Sequence, residues 1–181
     1  MVASMLHLGA VMIDAGIFLI FPLCMAVAAF SDLFTMTIPN RVSIILLGSF
    51  LLIVPFVGLS PSAIGMHFVG ALIVFAACFA FFALNVMGGG DAKLLSTAAL
   101  WFGFDHSLML FAVYVSVIGG MMTMLILAMR SRTDVFAAIG VPVPQSLMHA
   151  KKIPYGIAIG IGGFLAYPSS PLVLAALNQH G

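Results

Sequence analysis

A long apolar run in the middle of the chain, residues 64–94, reads IGMHFVGALIVFAACFAFFALNVMGGGDAKL. From Ile64 to Met87 it contains no Asp, Glu, Lys or Arg. About 20 such residues in a helix span the hydrocarbon core of a bilayer, which is about 30 Å thick. The run therefore predicts a membrane-spanning helix. The three glycines before Asp91 predict where that helix ends and the next one begins.

The rest of the chain has the same character. Of its 181 residues, 64% are apolar or aromatic, 6% are charged, and the net charge is +1. An average soluble domain is about half apolar and about one quarter charged, so this composition excludes a water-soluble enzyme and a disordered protein. The low net charge excludes a basic nucleic-acid-binding surface. We predict a single integral membrane domain over residues 1–181.

Polar breaks divide the chain into six apolar runs, which predict an all-α protein with six membrane-spanning helices. The fourth run is short, because about 13 apolar residues cover only roughly 20 Å of the core. Pro168 and Pro171 are expected to kink or end the sixth run. The runs cover residues 11–30, 42–59, 64–87, 92–104 and 107–129, and the sixth starts near residue 153.

The positive residues predict the orientation. All six lie in, or within two residues of, the loops after the first, third and fifth runs, and Lys and Arg mark the cytoplasmic side. Both termini are therefore expected outside the cytoplasm. Within the inner loop 130–152, residues 134–139 are compatible with one or two amphipathic turns at the membrane surface. The positive residues are Arg41, Lys93, Arg130, Arg132, Lys151 and Lys152.

Common catalytic and metal motifs are missing from the sequence. It contains no HExxH, GxSxG or CxxC pattern, so neither a zinc site nor a serine nucleophile is indicated. We expect no metal and no cofactor. Cys24 and Cys78 lie inside apolar runs, where free cysteines are the first interpretation and a disulfide between them is the alternative.

Two of the five aspartates stand at the inner ends of runs. Asp32 closes the first run, and Asp91 follows three glycines at the place where an N-cap belongs. Each acid alone is compatible with an ordinary helix end. However, the fourth run is too short to reach both surfaces, so Asp91 should lie below the cytoplasmic surface, where an ionisable group is costly and indicates function. Asp32 is the acid available at similar depth.

Two carboxyl groups in one site share a proton, since both do not easily ionise. The carboxylate can take a proton from water while the carboxylic acid donates one to a peptide carbonyl oxygen. The helix dipole favours an anion at a helix N-terminus over a C-terminus. We therefore expect Asp91 to be the base and Asp32 to hold the proton more often, although the pair titrates as a unit.

Two stretches carry a resemblance to a known family. Asp32 with the following Ile38-Pro39-Asn40, and the run from Gly88 to Leu94, resemble the type IV prepilin peptidases, the GxGD membrane aspartyl proteases. Residues 89–91 fit the Gly-Gly-Asp part of the motif, and Gly88 is left outside it. Residues 153–156, Ile-Pro-Tyr-Gly, are similar to the start of the family's last span. The likeness covers residues 11–177.

The resemblance implies that Asp32 and Asp91 are a catalytic pair that removes the basic leader of prepilins at the cytoplasmic face of the bacterial inner membrane. The first inner loop has no cysteines, so the N-methyltransferase activity of larger members is expected to be absent. The compact form is similar to the CpaA/TadV-type peptidases of Flp (Tad) pilus systems, and the preflagellin peptidases of archaea are related. Expected partners are a prepilin or pseudopilin and lipid, with no nucleic acid and with a homo-oligomer left open. Substrate-binding residues are expected among Lys93, Arg41, Gly89, Gly90, Pro154, Tyr155 and Gly156.

Several alternatives stay open on the sequence. Lys93 either extends to the interface or meets an acidic residue of the substrate. Gly156 and Gly160 form a small-xxx-small face, which we expect to pack and which would let the last span lie against the fourth. A proton-coupled transporter also uses intramembrane acids, and a non-catalytic membrane subunit of a pilus or secretion machine is a third class.

Overall fold

The computed structural model describes residues 2–131 and 153–178, so the segment 134–139 lies outside the described residues. Every regular element within those ranges is helical, and the all-α prediction is confirmed for them. Short 3-10 turns at Val54–Phe56 and Tyr167–Ser169 follow the second and sixth helices. The helices are α1 (Val2–Thr35), α2 (Asn40–Ile53), α3 (Pro61–Ala83), α4 (Gly89–Phe102), α5 (His106–Arg130), α6 (Tyr155–Ala166) and α7 (Pro171–Asn178).

The chain is a multi-pass membrane protein. Four helical stretches are long and apolar enough to cross a bilayer: Val11–Thr35, Pro61–Ala83, His106–Met129 and Tyr155–Asn178. The stretch Asn40–Phe56 is apolar but shorter. Helix α4 has 14 residues, about 21 Å at about 1.5 Å per residue, so the short fourth helix is confirmed. The count of six crossings and the orientation of the termini stay predictions.

The helix ends differ from the ends of the apolar runs where local turns intervene. Helix α3 ends at Ala83 instead of Met87, and Asn85 then takes a left-handed conformation with φ 57°. Asparagine adopts this conformation more readily than most residues. The predicted break in the last span is confirmed, because Pro168 lies in a 3-10 turn and Pro171 begins α7.

An aromatic core surrounds the C-terminal half of α4. Trp101 and Phe102 are fully buried. Phe102 stacks on Phe111 of α5 with ring centroids 4.6 Å apart, and Phe21 of α1 stacks on Tyr167 at 4.2 Å. These contacts join four parts of the chain at the end of α4 that lies farthest from Asp91.

The polar atoms of this core have partners. The Trp101 indole N–H donates to the Leu46 carbonyl at 3.1 Å, and the Tyr167 hydroxyl donates to the Ile17 carbonyl at 2.7 Å. An apolar membrane interior offers no water for such groups. The first bond therefore stabilises the contact of α4 with α2, and the second stabilises the contact of the 3-10 turn after α6 with α1.

Glycines let α6 pack closely between α1 and α5. A Cβ atom on Gly160 would lie 2.9 Å from the Ala29 Cβ and 3.0 Å from the Met25 carbonyl oxygen, both in α1. A Cβ on Gly162 would lie 2.7 Å from Val115 in α5. The small-xxx-small face thus packs, as expected, and its two glycines meet α1. Helix α6 also contacts α4, as the sequence predicted for the last span. Small residues permit such close helix approach.

Candidate active site

The two acids singled out by the sequence line the same cavity, which has a volume of about 270 Å³. Asp32 lies in the last turn of α1 and is 5% exposed. Asp91 lies in the first turn of α4 and is partly buried. The α1–α2 connection, from Met36 to Ile38, forms another wall. The fold therefore brings two carboxyl groups from separate helices to one cavity.

The N-terminus of α6 holds the Asp32 carboxylate. The Gly156 backbone N–H donates to Asp32 Oδ2 at 2.6 Å, and a Cβ atom on Gly156 would lie 2.9 Å from the same oxygen. Only glycine leaves room for this carboxylate. The sequence assigned Gly156 to substrate binding, whereas the structure places it directly on Asp32.

This contact affects the assignment of the shared proton. Asp32 lies near the C-terminus of its own helix but also at the N-terminus of α6, where unpaired N–H groups favour an anion. Asp91 lies at the N-terminus of α4. Because both acids face a helix N-terminus, the dipole argument does not separate them. Which carboxyl holds the proton stays a prediction.

Gly88 positions Asp91. It is the N-cap of α4, and Asp91 is the third helical residue, which corrects the expectation that Asp91 itself caps the helix. A Cβ atom on Gly88 would lie 2.8 Å from Asp91 Oδ2, so the carboxylate lies against the cap. The sequence analysis left Gly88 outside the motif, and the structure places Gly88 directly against Asp91. Gly88 lies three residues before the acid.

Gly89 and Gly90, the two glycines before Asp91, have neighbours from other parts of the chain. A Cβ atom on Gly90 would lie 3.4 Å from the Ile38 Cβ, and one on Gly89 would lie 3.3 Å from the Phe82 ring. A side chain at position 90 would make an ordinary van der Waals contact with the α1–α2 connection. Both glycines line the cavity of the two acids.

Hydroxyl groups fix the α1–α2 connection, a feature that sequence reasoning missed. The Ser31 hydroxyl donates to the Thr37 carbonyl at 2.8 Å, and the Thr35 and Thr37 hydroxyl oxygens lie 2.7 Å apart. Met36 between them is left-handed, with φ 54°. The spacing of Ser31, Thr35 and Thr37 was the available signal, since these residues favour local hydrogen bonds at helix ends.

The two positive residues near the cavity have different surroundings. The Lys93 ammonium donates to the Asn40 Oδ1 at 3.0 Å, and Asn40 lines the cavity as the first residue of α2. Lys93 thus links α2 and α4, a role that the sequence did not suggest. Arg41 follows Asn40 and is exposed.

A second and larger cavity, of about 760 Å³, shares Gly88, Asp91 and Ile153 with the first. Its walls come mainly from α3, the α3–α4 connection and α5, with Asp91 and Leu95 from α4. Tyr155 also lines it and lies so close to α5 that a Cβ on Gly119 would be 2.7 Å from the tyrosine hydroxyl. Pro154, just before α6, is buried. Hydropathy alone gave no signal for this cavity.

The described residues contain no cluster of three or more His, Cys, Asp or Glu side chains that would hold a metal ion. Cys24 and Cys78 are free and buried, in agreement with the first of the two sequence interpretations. Among the residues that line the smaller cavity, Asp32 and Asp91 carry carboxyl groups.

These features define a helical membrane protein in which two carboxyl groups line one cavity. The type IV leader peptidase family has a sequence model that matches residues 19–125, more than half of the chain and a range that includes both acids. The chain belongs to the type IV leader peptidase family, and it is a protease of that kind. The matched range is shorter than the resemblance expected and does not include Gly156. Searches of curated proteins and of solved structures found no match.

Proposed function

We propose that the chain is an aspartic endopeptidase that removes the basic leader peptide from type IV prepilins of the Flp (Tad) kind, at the cytoplasmic face of the bacterial inner membrane. It acts without N-methyltransferase activity. The observation that carries the proposal is that Asp32 and Asp91, from α1 and α4, line one cavity. Paired carboxyl groups of this kind activate water, and the family supplies the class of reaction.

In the proposed reaction the ionised carboxylate of the pair takes a proton from water as the water oxygen bonds to the scissile carbonyl carbon. The protonated carboxyl donates its proton to the carbonyl oxygen. The resulting diol returns one hydroxyl proton to the pair, the pair protonates the amide nitrogen, and the C–N bond breaks. The proton count of the pair is then restored. Because Gly156 holds Asp32 Oδ2, Oδ1 is the Asp32 oxygen proposed to share the proton.

The positive residues support a cytoplasmic site. Arg41 and Lys93 lie at the same end of the bundle as the cavity, and positive residues mark the cytoplasmic side. Of the two, Arg41 is proposed to meet an acidic residue of the substrate next to the cleavage point, since Lys93 already donates to Asn40. Restored cleavage when Arg41→Glu is paired with a charge-reversed substrate would support this contact, and no restoration would exclude it.

The central experiment is cleavage of a full-length prepilin by the purified protein in a bilayer. Asp32→Asn and Asp91→Asn should each lower kcat by about 10³-fold or more. Asp105→Asn is the matched control. Asp105 is an exposed acid at the N-cap of α5, and asparagine is an equally good N-cap residue. Substantial cleavage by Asp91→Asn would contradict the mechanism. The product mass also reports whether the new amino terminus is methylated, which we expect it not to be.

A further inference from the structure

Two polar side chains lie at the exposed edge of the cavity that holds the acids. Thr37 belongs to the α1–α2 connection, and Asn40 is the first residue of α2. Both line the cavity and both are exposed, so a bound chain can reach them. The mechanism above uses neither side chain. The hydrogen bonds that each makes within the protein determine what it still offers to a ligand.

The hydroxyl group of Thr37 is oriented by its neighbours. A hydroxyl group has one proton to donate. Thr35 donates its proton to the Ser31 carbonyl at 2.7 Å, and the Ser31 hydroxyl donates to the Thr37 carbonyl at 2.8 Å. The 2.7 Å contact between Thr35 Oγ1 and Thr37 Oγ1 therefore uses the Thr37 proton. Thr37 Oγ1 is left as a hydrogen-bond acceptor at the cavity.

The side-chain amide of Asn40 is oriented in the opposite sense. An ammonium group only donates, so the 3.0 Å contact with Lys93 Nζ directs Asn40 Oδ1 toward Lys93. The Asn40 Nδ2 makes no hydrogen bond with the residues that the structure describes. Asn40 therefore keeps both of its N–H donors for a ligand, and Lys93 is a positioning residue for this amide.

An acceptor and a donor at one cavity edge match the main chain of a peptide, in which each residue other than proline carries one N–H and one C=O. A lysine side chain of a leader would use the acceptor alone. A peptide main chain uses both groups, so it is the ligand that the pair of side chains favours.

We propose that Thr37 and Asn40 hold the main chain of the substrate, Thr37 by accepting from a backbone N–H and Asn40 by donating to a backbone C=O. The inference rests on the proposed function and adds that this part of the substrate is recognised by its backbone, whatever its side chains. Because Asp32 and Asp91 line the same cavity, a chain held in this way lies beside both acids.

The first test measures binding by the full chain with both Asp32→Asn and Asp91→Asn, in lipid nanodiscs, so that the probe is not cut. The probe is a fluorescent synthetic peptide with a lysine-rich segment followed by an apolar helix of about 20 residues. Thr37→Val and Asn40→Leu should each raise Kd by about three- to tenfold, the effect of one lost hydrogen bond, whereas Thr37→Ser should bind as the parent does. Thr97→Val is the control and should leave Kd unchanged, because the Thr97 hydroxyl bonds carbonyls of its own helix. Equal thermal unfolding midpoints would show that all these variants fold.

The second test separates backbone recognition from a structural role of Thr37. One amide N–H of the probe at a time, along the lysine-rich segment and its junction with the helix, is replaced by an ester oxygen. At one position the ester should raise Kd for the parent protein by about three- to tenfold and leave Kd for Thr37→Val unchanged, since the two changes remove the same bond. Replacing the lysines of the probe by norleucine should change Kd by the same factor for both proteins.

Three results would overturn the proposal: an ester scan with no position coupled to Thr37, coupling of Thr37 to a lysine side chain, or an unchanged Kd for Asn40→Leu. Because Kd is measured without cleavage, these results are independent of whether the protein proves to be a peptidase.

Discussion

The space for a side chain at Gly156 is occupied by a carboxylate. A Cβ atom there would lie 2.8 Å from the Asp32 Cβ and 2.9 Å from Oδ2, so Gly156→Ala should displace Asp32 and break its bond to α6. A misplacement of about 1 Å at a reacting group costs about 10²-fold in rate. We therefore expect kcat to fall by about that factor, measured on a prepilin with the reconstituted enzyme.

Gly120→Ala is the control for this prediction. A Cβ atom on Gly120 would meet nothing within 4 Å, and alanine stabilises a helix by about 0.5–1 kcal/mol relative to glycine. This variant should retain its kcat and unfold at a slightly higher temperature. Full activity of Gly156→Ala would mean that catalysis does not depend on how α6 holds Asp32.

The adjacent residues Gly88 and Gly89 should differ in their effect on catalysis. A Cβ on Gly88 would lie 2.8 Å from Asp91 Oδ2, whereas one on Gly89 would lie 3.3 Å from the Phe82 ring. Phe82 is 47% exposed and can move aside. Gly88→Ala should thus lower kcat by about 10²-fold and Gly89→Ala far less, in the same cleavage assay. Equal effects of the two variants would show that Gly88 does not position Asp91.

At the level of elements, the end of α1 carries conformational strain. Met36 ends the helix with φ 54°, and a side chain in the left-handed region costs about 1–2 kcal/mol. Met36→Gly should therefore raise the free energy of unfolding by about 1 kcal/mol, measured by thermal unfolding in detergent. Met36→Ala is the matched control, since it removes the same side chain but keeps the Cβ atom. If both variants gained equally, the gain would come from the lost side chain and not from the backbone.

The elements themselves were largely predictable. An apolar run in lipid must satisfy its backbone hydrogen bonds internally, so it forms a helix, and the short α4 followed from counting residues. The neighbours of each helix were not predictable, because the face that meets lipid is as apolar as the face that meets protein. The sequence therefore did not indicate that Gly160 packs on Met25 of α1.

The acids of the candidate site were predictable from the sequence, but the residues that hold them in place were not. Charged residues are rare in the chain, so Asp32 and Asp91 were conspicuous in the sequence. The contact between Gly156 and Asp32 joins residues far apart in the chain, and periodicity carries no information about such pairs. The larger cavity beside Asp91 depends on how α3 and α5 lie around α4, which is also a property of packing.

On the scale of the whole molecule, the two ends of α4 have different roles. Trp101 and Phe102 at its C-terminal end are fully buried in the aromatic core, whereas Gly88 and Asp91 at its N-terminal end line cavities. Buried aromatic side chains supply much of the packing energy of a fold. Substitutions at the cavity end should for that reason affect cleavage more than they affect unfolding.

The orientation of the molecule determines whether the proposed substrate can reach the acids. Thr37 lies at the cavity end of the bundle and Ser62 in the first turn of α3 at the opposite end, and both are exposed. With Cys24 and Cys78 replaced by serine, Ser62→Cys should react with a membrane-impermeant maleimide in intact cells. Thr37→Cys should react only after the membrane is disrupted, because Arg41 and Lys93 favour the cytoplasmic side for that end. The reverse pattern would place the acids outside the cytoplasm, where a cytoplasmic leader could not meet them, and it would exclude cleavage at the inner face even if the two carboxyl groups hydrolyse peptides.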